Sequence, residues 1–117
     1  MTKYAIYFNQ QWVGDHPAEW YQSRVEPSTA VVREIEAAGA LVFAGGLVED
    51  RSEAFSADAT SGTITITDGP YAETREVLGG FYVIDVPDLD AALDWAARCP
   101  GARDGSIVVR PVADFGA

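Results

Sequence analysis

Cysteine and histidine are nearly missing from this chain, with Cys99 and His16 the single examples of each. One thiol cannot close an intramolecular disulfide, and a metal site would have to be built almost entirely from carboxylates. Neither a disulfide framework nor a zinc or transition-metal centre is therefore expected. The chain reads as a reduced, cytoplasmic protein that calls for no cofactor, with Cys99 a buried structural thiol. Basic residues are also scarce: 8 Lys and Arg against 18 Asp and Glu leave a net charge of −10. Phosphate backbones are held by clustered cations, so nucleic acid is not an expected ligand, and the scattered acidic residues read as a solvated surface. No run approaches the ~18 apolar residues of a membrane span. The start, MTKYAIYFNQ, lacks a signal peptide's apolar core and cleavage site, so no membrane association or export is expected. Phosphate-binding glycine loops are missing too, because the pairs Gly45-Gly46 and Gly79-Gly80 fall inside strand-like segments and not at strand-to-helix turns.

What is present has the organisation of one compact domain over residues 1–117, since 48% hydrophobic content at this length is enough for a single core. KYAIYF, residues 3–8, is a nearly continuous apolar strand. DHPAEW, residues 15–20, carries helix-start chemistry, with Asp15 or His16 as cap and Pro17 in the first turn. Pro27 lacks an amide donor, so this first helix is expected to be short, ending before Pro27 or bending there and restarting. From Ser28, Val31, Val32, Ile35 and Ala38 keep one-face helical spacing, and Gly39 is placed to end the helix in left-handed geometry. ALVFAGGLVED, residues 40–50, begins as a strand in which Gly45 and Gly46 mark a bulge or a close backbone approach. GTITIT, residues 62–67, alternates at period two and reads as a half-exposed strand paired in a hairpin with residues near 54–57. GGFYVIDV, residues 79–86, is a core strand. A second helix follows, capped by Asp88, with Leu89, Ala92, Leu93 and Ala96 as its apolar stripe and Pro100-Gly101 as its end. SIVVRPV, residues 106–112, is the last strand.

The order strand, helix, strand, hairpin, strand, helix, strand is that of an α+β, ferredoxin-like (split βαβ) domain: two helices on one face of an antiparallel sheet, with an inserted β-hairpin. Residues 4, 6 and 8 lie on one face of the first strand and residues 5 and 7 on the other, and neither set is polar. A second subunit is the economical cover, giving a homodimeric α+β barrel with a small-molecule cavity between the two sheets.

DGPYAETREVLGGFYVIDVPDLDAALDWAARCPGA, residues 68–102, resembles the signature region of the YCII-related proteins, in the branch named for an Asp-Gly-Pro-Phe motif; Tyr71 stands where that motif has Phe. The likeness runs on through EAAGA, residues 36–40, and VVRPV, residues 108–112. It implies a ferredoxin-like domain that pairs into a barrel, with a mostly uncharacterised function. Some relatives look like small enzymes with a His and Asp acid/base pair, and the family includes relatives of muconolactone-type isomerases and dehalogenases. The Asp-Gly-Pro-Phe branch is linked to extracytoplasmic-function sigma factors. The first-helix position where many relatives carry His falls near Ser28, and a serine without a base is a poor proton carrier.

The residues themselves offer a site around the same loop. Asp68 and Gly69 have turn chemistry, which also holds a carboxylate rigidly enough to face a ligand. Asp68 and Glu73 are the candidate proton-transfer groups. His16, whose ordinary pKa lies near neutrality, is a third candidate, against the simpler role of a helix-start residue. Tyr71, Arg75 and Arg110 are the candidate ligand-binding residues. Arg75 has a local ion pair as its simpler alternative. Arg110 lies on the opposite face of the last strand from Ile107 and Val109, where it either pairs with Asp68, Glu73 or Asp85 or takes a ligand carboxylate. Trp12, Trp20 and Tyr21 could line a pocket mouth. The leading function is a small-molecule pocket with acid/base chemistry on a carbonyl-containing or aromatic-derived metabolite. Its rival is a non-enzymatic binding or regulatory module, linked to a sigma factor through the family resemblance alone.

Overall fold

The computed structural model describes residues 2–9, 16–47, 55–68, 78–103, 105 and 107–113, with the side chains of residues 68 and 78 left out. In chain order the elements are β1 (Thr2–Asn9), α1 (Ala18–Ala37), β2 (Leu41–Gly46), β3 (Phe55–Asp58), β4 (Thr65–Asp68), β5 (Leu78–Val86), α2 (Leu89–Arg98), α3 (Pro100–Arg103) and β6 (Ile107–Pro111). Four strands form one sheet in the order β2-β5-β1-β6, and β3-β4 forms a separate two-stranded ribbon. All the pairings are antiparallel. This is a mixed α+β architecture whose strand order is consistent with a ferredoxin-like fold.

Cross-strand partners share a face of the sheet. Tyr4 with Ile84, Ile6 with Tyr82 and Val109, and Phe8 with Ile107 therefore define one face. Val31 and Ile35 of α1 and Ala92 and Ala96 of α2 pack on it in a single core with Tyr4, Ile6, Tyr82 and Ile84. Ile6, Ile35 and Ile84 are fully buried, and each contributes about 1.5 to 3 kcal/mol by leaving water. The opposite face carries Ala5, Tyr7, Phe81, Val83, Val108 and Arg110, together with Phe43 through its pairing with Val83. No described helix packs there.

The first helix is not short. α1 runs unbroken through Pro27, because the packing of Val31 and Ile35 holds the second half in line while Pro27 sits on the exposed side. Pro27 has no N–H to donate to the Ser23 carbonyl; on either side of that gap the Ser23 hydroxyl donates to the Trp20 carbonyl at 2.5 Å and Thr29 to the Val25 carbonyl at 2.8 Å. Pro17 occupies the cap position with no side-chain cap bond, so His16 does not cap the helix; Asp15 lies outside the described residues. At the other end Gly39, at φ +74°, closes α1 as expected. Its N–H donates to the Glu36 carbonyl and that of Ala40 to Ile35, the paired bonds of a Schellman ending.

Asp88 caps α2, its carboxylate accepting from the Ala91 N–H at 2.9 Å. The buried stripe of α2 is Ala92 and Ala96, continued by Cys99. Leu89 and Leu93 are not part of it: both are nearly half exposed, since their helical angles place them on the flank of that stripe. Pro100 does not simply end α2 but opens the further turn α3. In the β3-β4 ribbon Phe55 pairs with Asp68 and Ala57 with Ile66. Phe55, Ile64 and Ile66 are more than 60% exposed, so the ribbon is more solvated than the half-exposed strand expected.

Candidate functional site

α1 lies across the sheet with its C-terminal half on the core and its N-terminal half over a cavity of about 360 Å³. Phe8 and Tyr82 supply the sheet side, Trp20, Tyr21, Arg24 and Ser28 the helix side, and the Gly45-Gly46 and Gly79-Gly80 pairs the rim. The glycines have separable reasons. A Cβ on Gly80 would stand 2.8 Å from the Gly45 carbonyl oxygen, so that residue permits the close approach of β2 to β5. A Cβ on Gly46 would meet only the Gly79 carbonyl oxygen, at 4.0 Å, so its missing side chain leaves space and not contact. Gly46 pairs with Gly80 and Gly80 with Phe8, which puts that space on the helix-bearing face.

The walls are preorganised by ring contacts. Phe8 meets Tyr82 edge-on at 4.8 Å, and Tyr21 meets Trp20 edge-on at 5.1 Å. The His16 ring stacks on Trp20 at 3.9 Å, nearly parallel, and the Arg24 guanidinium lies 4.3 Å from the centre of the same ring. Two groups so close cannot share one face of the indole, so they clasp it from both sides. Tyr82 is buried. Loss of hydration drives its phenol up to about 12, the neighbouring Cys99 adds to this, and a hydrogen bond from the Ser28 hydroxyl partly opposes it. Cys99 is fully buried, as expected, its thiol pushed up to about 11 by burial alone, and it donates to the Trp95 carbonyl at 3.5 Å. It is an inert core thiol.

The expected site residues are dispersed over this framework. His16 is half-buried behind Trp20 and is not among the cavity's lining residues. Asp68 ends β4, paired through its backbone with Phe55. Tyr71, Glu73 and Arg75, with Gly69 and Pro70, lie outside the described residues, as does Trp12. Arg110 is exposed on the open sheet face, opposite Ala5. Asp85 shares that face, where one of its carboxylate oxygens is buried with no hydrogen-bond partner, and no ion pair joins the two. Trp20 and Tyr21 line the cavity, whereas Arg24, Ser28 and Tyr82 were not singled out as binding residues by the sequence. For Arg24 and Ser28 the signal was the four-residue spacing of positions 20, 24 and 28, which puts them along one face of α1. Among the described residues no group of three or more His, Cys, Asp or Glu could hold a metal ion, and no helix is long and apolar enough to cross a membrane.

A helix-backed antiparallel sheet with an aromatic-walled cavity between helix and sheet is a small mixed α+β architecture, consistent with a ferredoxin-like fold. The YCII-related domain matches residues 8–116, and the chain belongs to that family. An uncharacterised protein of Rhizobium meliloti (strain 1021) is 42% identical over 87 residues, covering 73% of this chain and 69% of that protein. A solved structure of 5-chloro-2-hydroxyhydroquinone dehydrochlorinase from Burkholderia phenoliruptrix AC1100, in complex with 2,5-dihydroxybenzoquinone, superposes with a TM-score of 0.54. It covers 95% of this chain and 93% of its own at 12% identity, a likeness of fold.

Proposed function

We propose that this YCII-related protein binds a small planar metabolite, carbonyl-containing or aromatic-derived, and carries out acid/base chemistry on it. The observation that supports the reading is the cavity under α1, about 360 Å³ and walled by Phe8, Trp20, Tyr21 and Tyr82, which has the size and apolar lining of a small-ligand site. That the dehydrochlorinase of similar fold was solved with an oxygenated quinone agrees with a ring-shaped occupant. In this proposal the chain is a single domain of the Asp-Gly-Pro-Phe branch, and Asp68 and Glu73 of its DGPYAE segment are the proton-transfer groups. His16 acts behind them by holding Trp20, and Tyr71 and Arg75 contribute to ligand binding. Two copies pair through the open sheet face, which brings Arg110 to the space between the sheets.

Saturation-transfer NMR with 2,5-dihydroxybenzoquinone and a set of cyclic enones and hydroxybenzoates tests the binding, and ultraviolet spectra of the same mixtures test turnover. The expected result is transfer to a subset of rings and spectral change in at least one, with Glu73→Gln abolishing turnover while leaving the melting temperature in place. Transfer without turnover in any mixture would leave a binding module, and no transfer at all would remove the small-molecule reading.

A further inference from the structure

We propose that the cavity under α1 selects a flat ring bearing a carbonyl oxygen, with the Tyr82 phenol donating to that oxygen and Ser28 positioning the phenol. The inference rests on the small-molecule reading above and specifies the functional group that the pocket reads.

Water decides which lining group can do the reading. A hydrogen bond made where solvent competes contributes little to selection, whereas one made in a dry wall separates a ligand that accepts from one that does not. Four described residues lining the cavity carry hydroxyls: Tyr21, Ser28, Thr29 and Tyr82. Thr29 is exposed and spends its proton on the Val25 carbonyl. Tyr21 and Ser28 are half-buried. Tyr82 alone of the four is buried, at 8% exposure. Asn9 and Arg24 also stand in the wall, but each has an interaction of its own and neither is given a part in the selection.

The phenol is aimed by its contacts. Its ring meets Phe8 edge-on at 4.8 Å on the sheet and its oxygen meets the Ser28 hydroxyl on α1, so the side chain crosses from sheet to helix along the cavity wall. The Ser28 hydroxyl donates to that oxygen, which holds the oxygen in place and leaves the phenol's own proton unspent on Ser28. Among the described residues Ser28 is the one hydrogen-bond partner of Tyr82. Burial keeps the phenol protonated through neutral pH, so it meets a ligand oxygen as a donor and not as a repelling anion. A carbonyl oxygen satisfies such a donor completely, whereas a ligand hydroxyl brings a further proton that needs an acceptor in the same dry wall. Shape supplies the flatness: Gly46 leaves its Cβ position empty on the cavity side, and the Phe8 and Tyr82 rings stand across from α1, a slot suited to a planar ligand. In the acid/base chemistry proposed above, the same bond strengthens when a carboxylate takes the proton from the carbon beside the carbonyl, because the C–H electron pair passes to the oxygen as an enolate.

Calorimetric titration of the whole chain with 1-indanone, 1-indanol and indane, which share one bicyclic frame, tests the selection. Difference infrared spectra of bound, carbonyl-labelled 1-indanone test the bond itself. The ketone is expected to bind at least about threefold more tightly than the alcohol, with its carbonyl stretch moved to lower frequency on binding. Tyr82→Phe should weaken the ketone by about threefold to tenfold, return the stretch to its unbonded position and leave indane within about twofold. Ser28→Ala should weaken the ketone and broaden the carbonyl band, and Ser28→Thr, which keeps a hydroxyl, should restore both. Gly46→Val, a substitution that an extended strand accepts, should abolish binding of all three by filling the slot. Equal losses for 1-indanone and indane in Tyr82→Phe, or a carbonyl band that binding does not move, overturn the donor assignment, and if Gly46→Val still blocks binding the small-molecule pocket stands without it. An alcohol bound as tightly as the ketone overturns the carbonyl selection, and a Ser28→Ala protein with unchanged affinity and band overturns the positioning role. Binding of none of the three overturns the proposal, and binding that Gly46→Val does not touch overturns the location of the pocket itself.

Discussion

At the scale of single residues, the two groups whose protonation the fold shifts furthest among the described residues are neighbours. Tyr82, ordinarily at 10.0, is pushed up to about 12, and Cys99, ordinarily at 9.0, to about 11. In both cases the native state keeps its proton after the unfolded chain has given it up. Stability is therefore whole below the ordinary value and is lost as pH rises through the native one, from 9 to 11 for Cys99 and from 10 to 12 for Tyr82. Each displacement is worth at most about 2 to 3 kcal/mol, and the two do not simply add because part of the Tyr82 shift is its interaction with Cys99. Urea midpoints should stay level from neutrality to the lower edge of the Cys99 window and then fall; Cys99→Ala should remove the earlier part of the fall and Tyr82→Phe the later part. A profile that stays level to the top of the Tyr82 window would show that these side chains are hydrated. Two glycines give a second residue-scale contrast. Gly80→Ala puts a methyl 2.8 Å from the Gly45 carbonyl oxygen, where the obstacle is backbone, and should cost about 1 to 3 kcal/mol. Gly46→Ala meets nothing closer than 4.0 Å and should change stability by no more than about 0.5 kcal/mol. Chemical denaturation of the pair reads the difference directly.

At the scale of elements, α1 shows where local rules yield. Pro27 denies the Ser23 carbonyl its helical donor, yet α1 is continuous from Ala18 to Ala37. Pro27→Ala should restore the bond on an exposed surface and raise stability, by as much as about 3 kcal/mol, visible as a higher melting temperature with more helical circular dichroism; a loss of stability would mean that the proline fixes the line of the helix. The same proline explains which parts of the site were legible beforehand. The strands, the Gly39 ending and the Asp88 cap follow from apolar runs and short-range chemistry, and they stand where the sequence places them. Reading α1 as two helices, however, separates Ser28 from the stretch that holds Trp20 and Arg24, and hides the row at 20, 24 and 28 that overhangs the cavity. Tyr82 is hidden differently: within GGFYVIDV it has the apolar neighbours of any core tyrosine, and only the tertiary meeting of β5 with α1 brings Ser28 to its hydroxyl. Leu89 and Leu93 misled in the reverse sense, since periodicity identifies an apolar side of a helix without fixing which part of it meets the sheet.

At the scale of the whole molecule, the helices and the sheet form two layers and the structure is only 19 Å through its thinnest dimension, close to the thickness of one helix layer on one sheet. No described helix covers the second sheet face, where Ala5 is buried by its neighbours and Tyr7, Phe81, Val83 and Val108 are partly exposed. Its apolar groups are contiguous: Phe43, half exposed, stacks with Phe81 at 5.3 Å, Val83 lies opposite Phe43, and Tyr7 and Val108 continue the surface across β1 and β6. A contiguous apolar face of this kind tends to be covered, and a two-fold copy of the same face covers it with the same residues. Light scattering coupled to size exclusion should accordingly find twice the 12.6 kDa chain mass at micromolar concentration. Phe43→Asp should convert this to the single mass, because a carboxylate placed at the centre of a dry interface loses its hydration on association and would face its symmetry mate or apolar rings. Phe43 is itself solvent-exposed in the single chain, so the monomeric variant should keep its helical spectrum and its melting should lose the concentration dependence of a dimer. Single mass for the unaltered chain, or a dimer that withstands Phe43→Asp, would place any association elsewhere. The solvated ribbon residues Phe55, Ile64 and Ile66 would then be the next apolar surface to substitute.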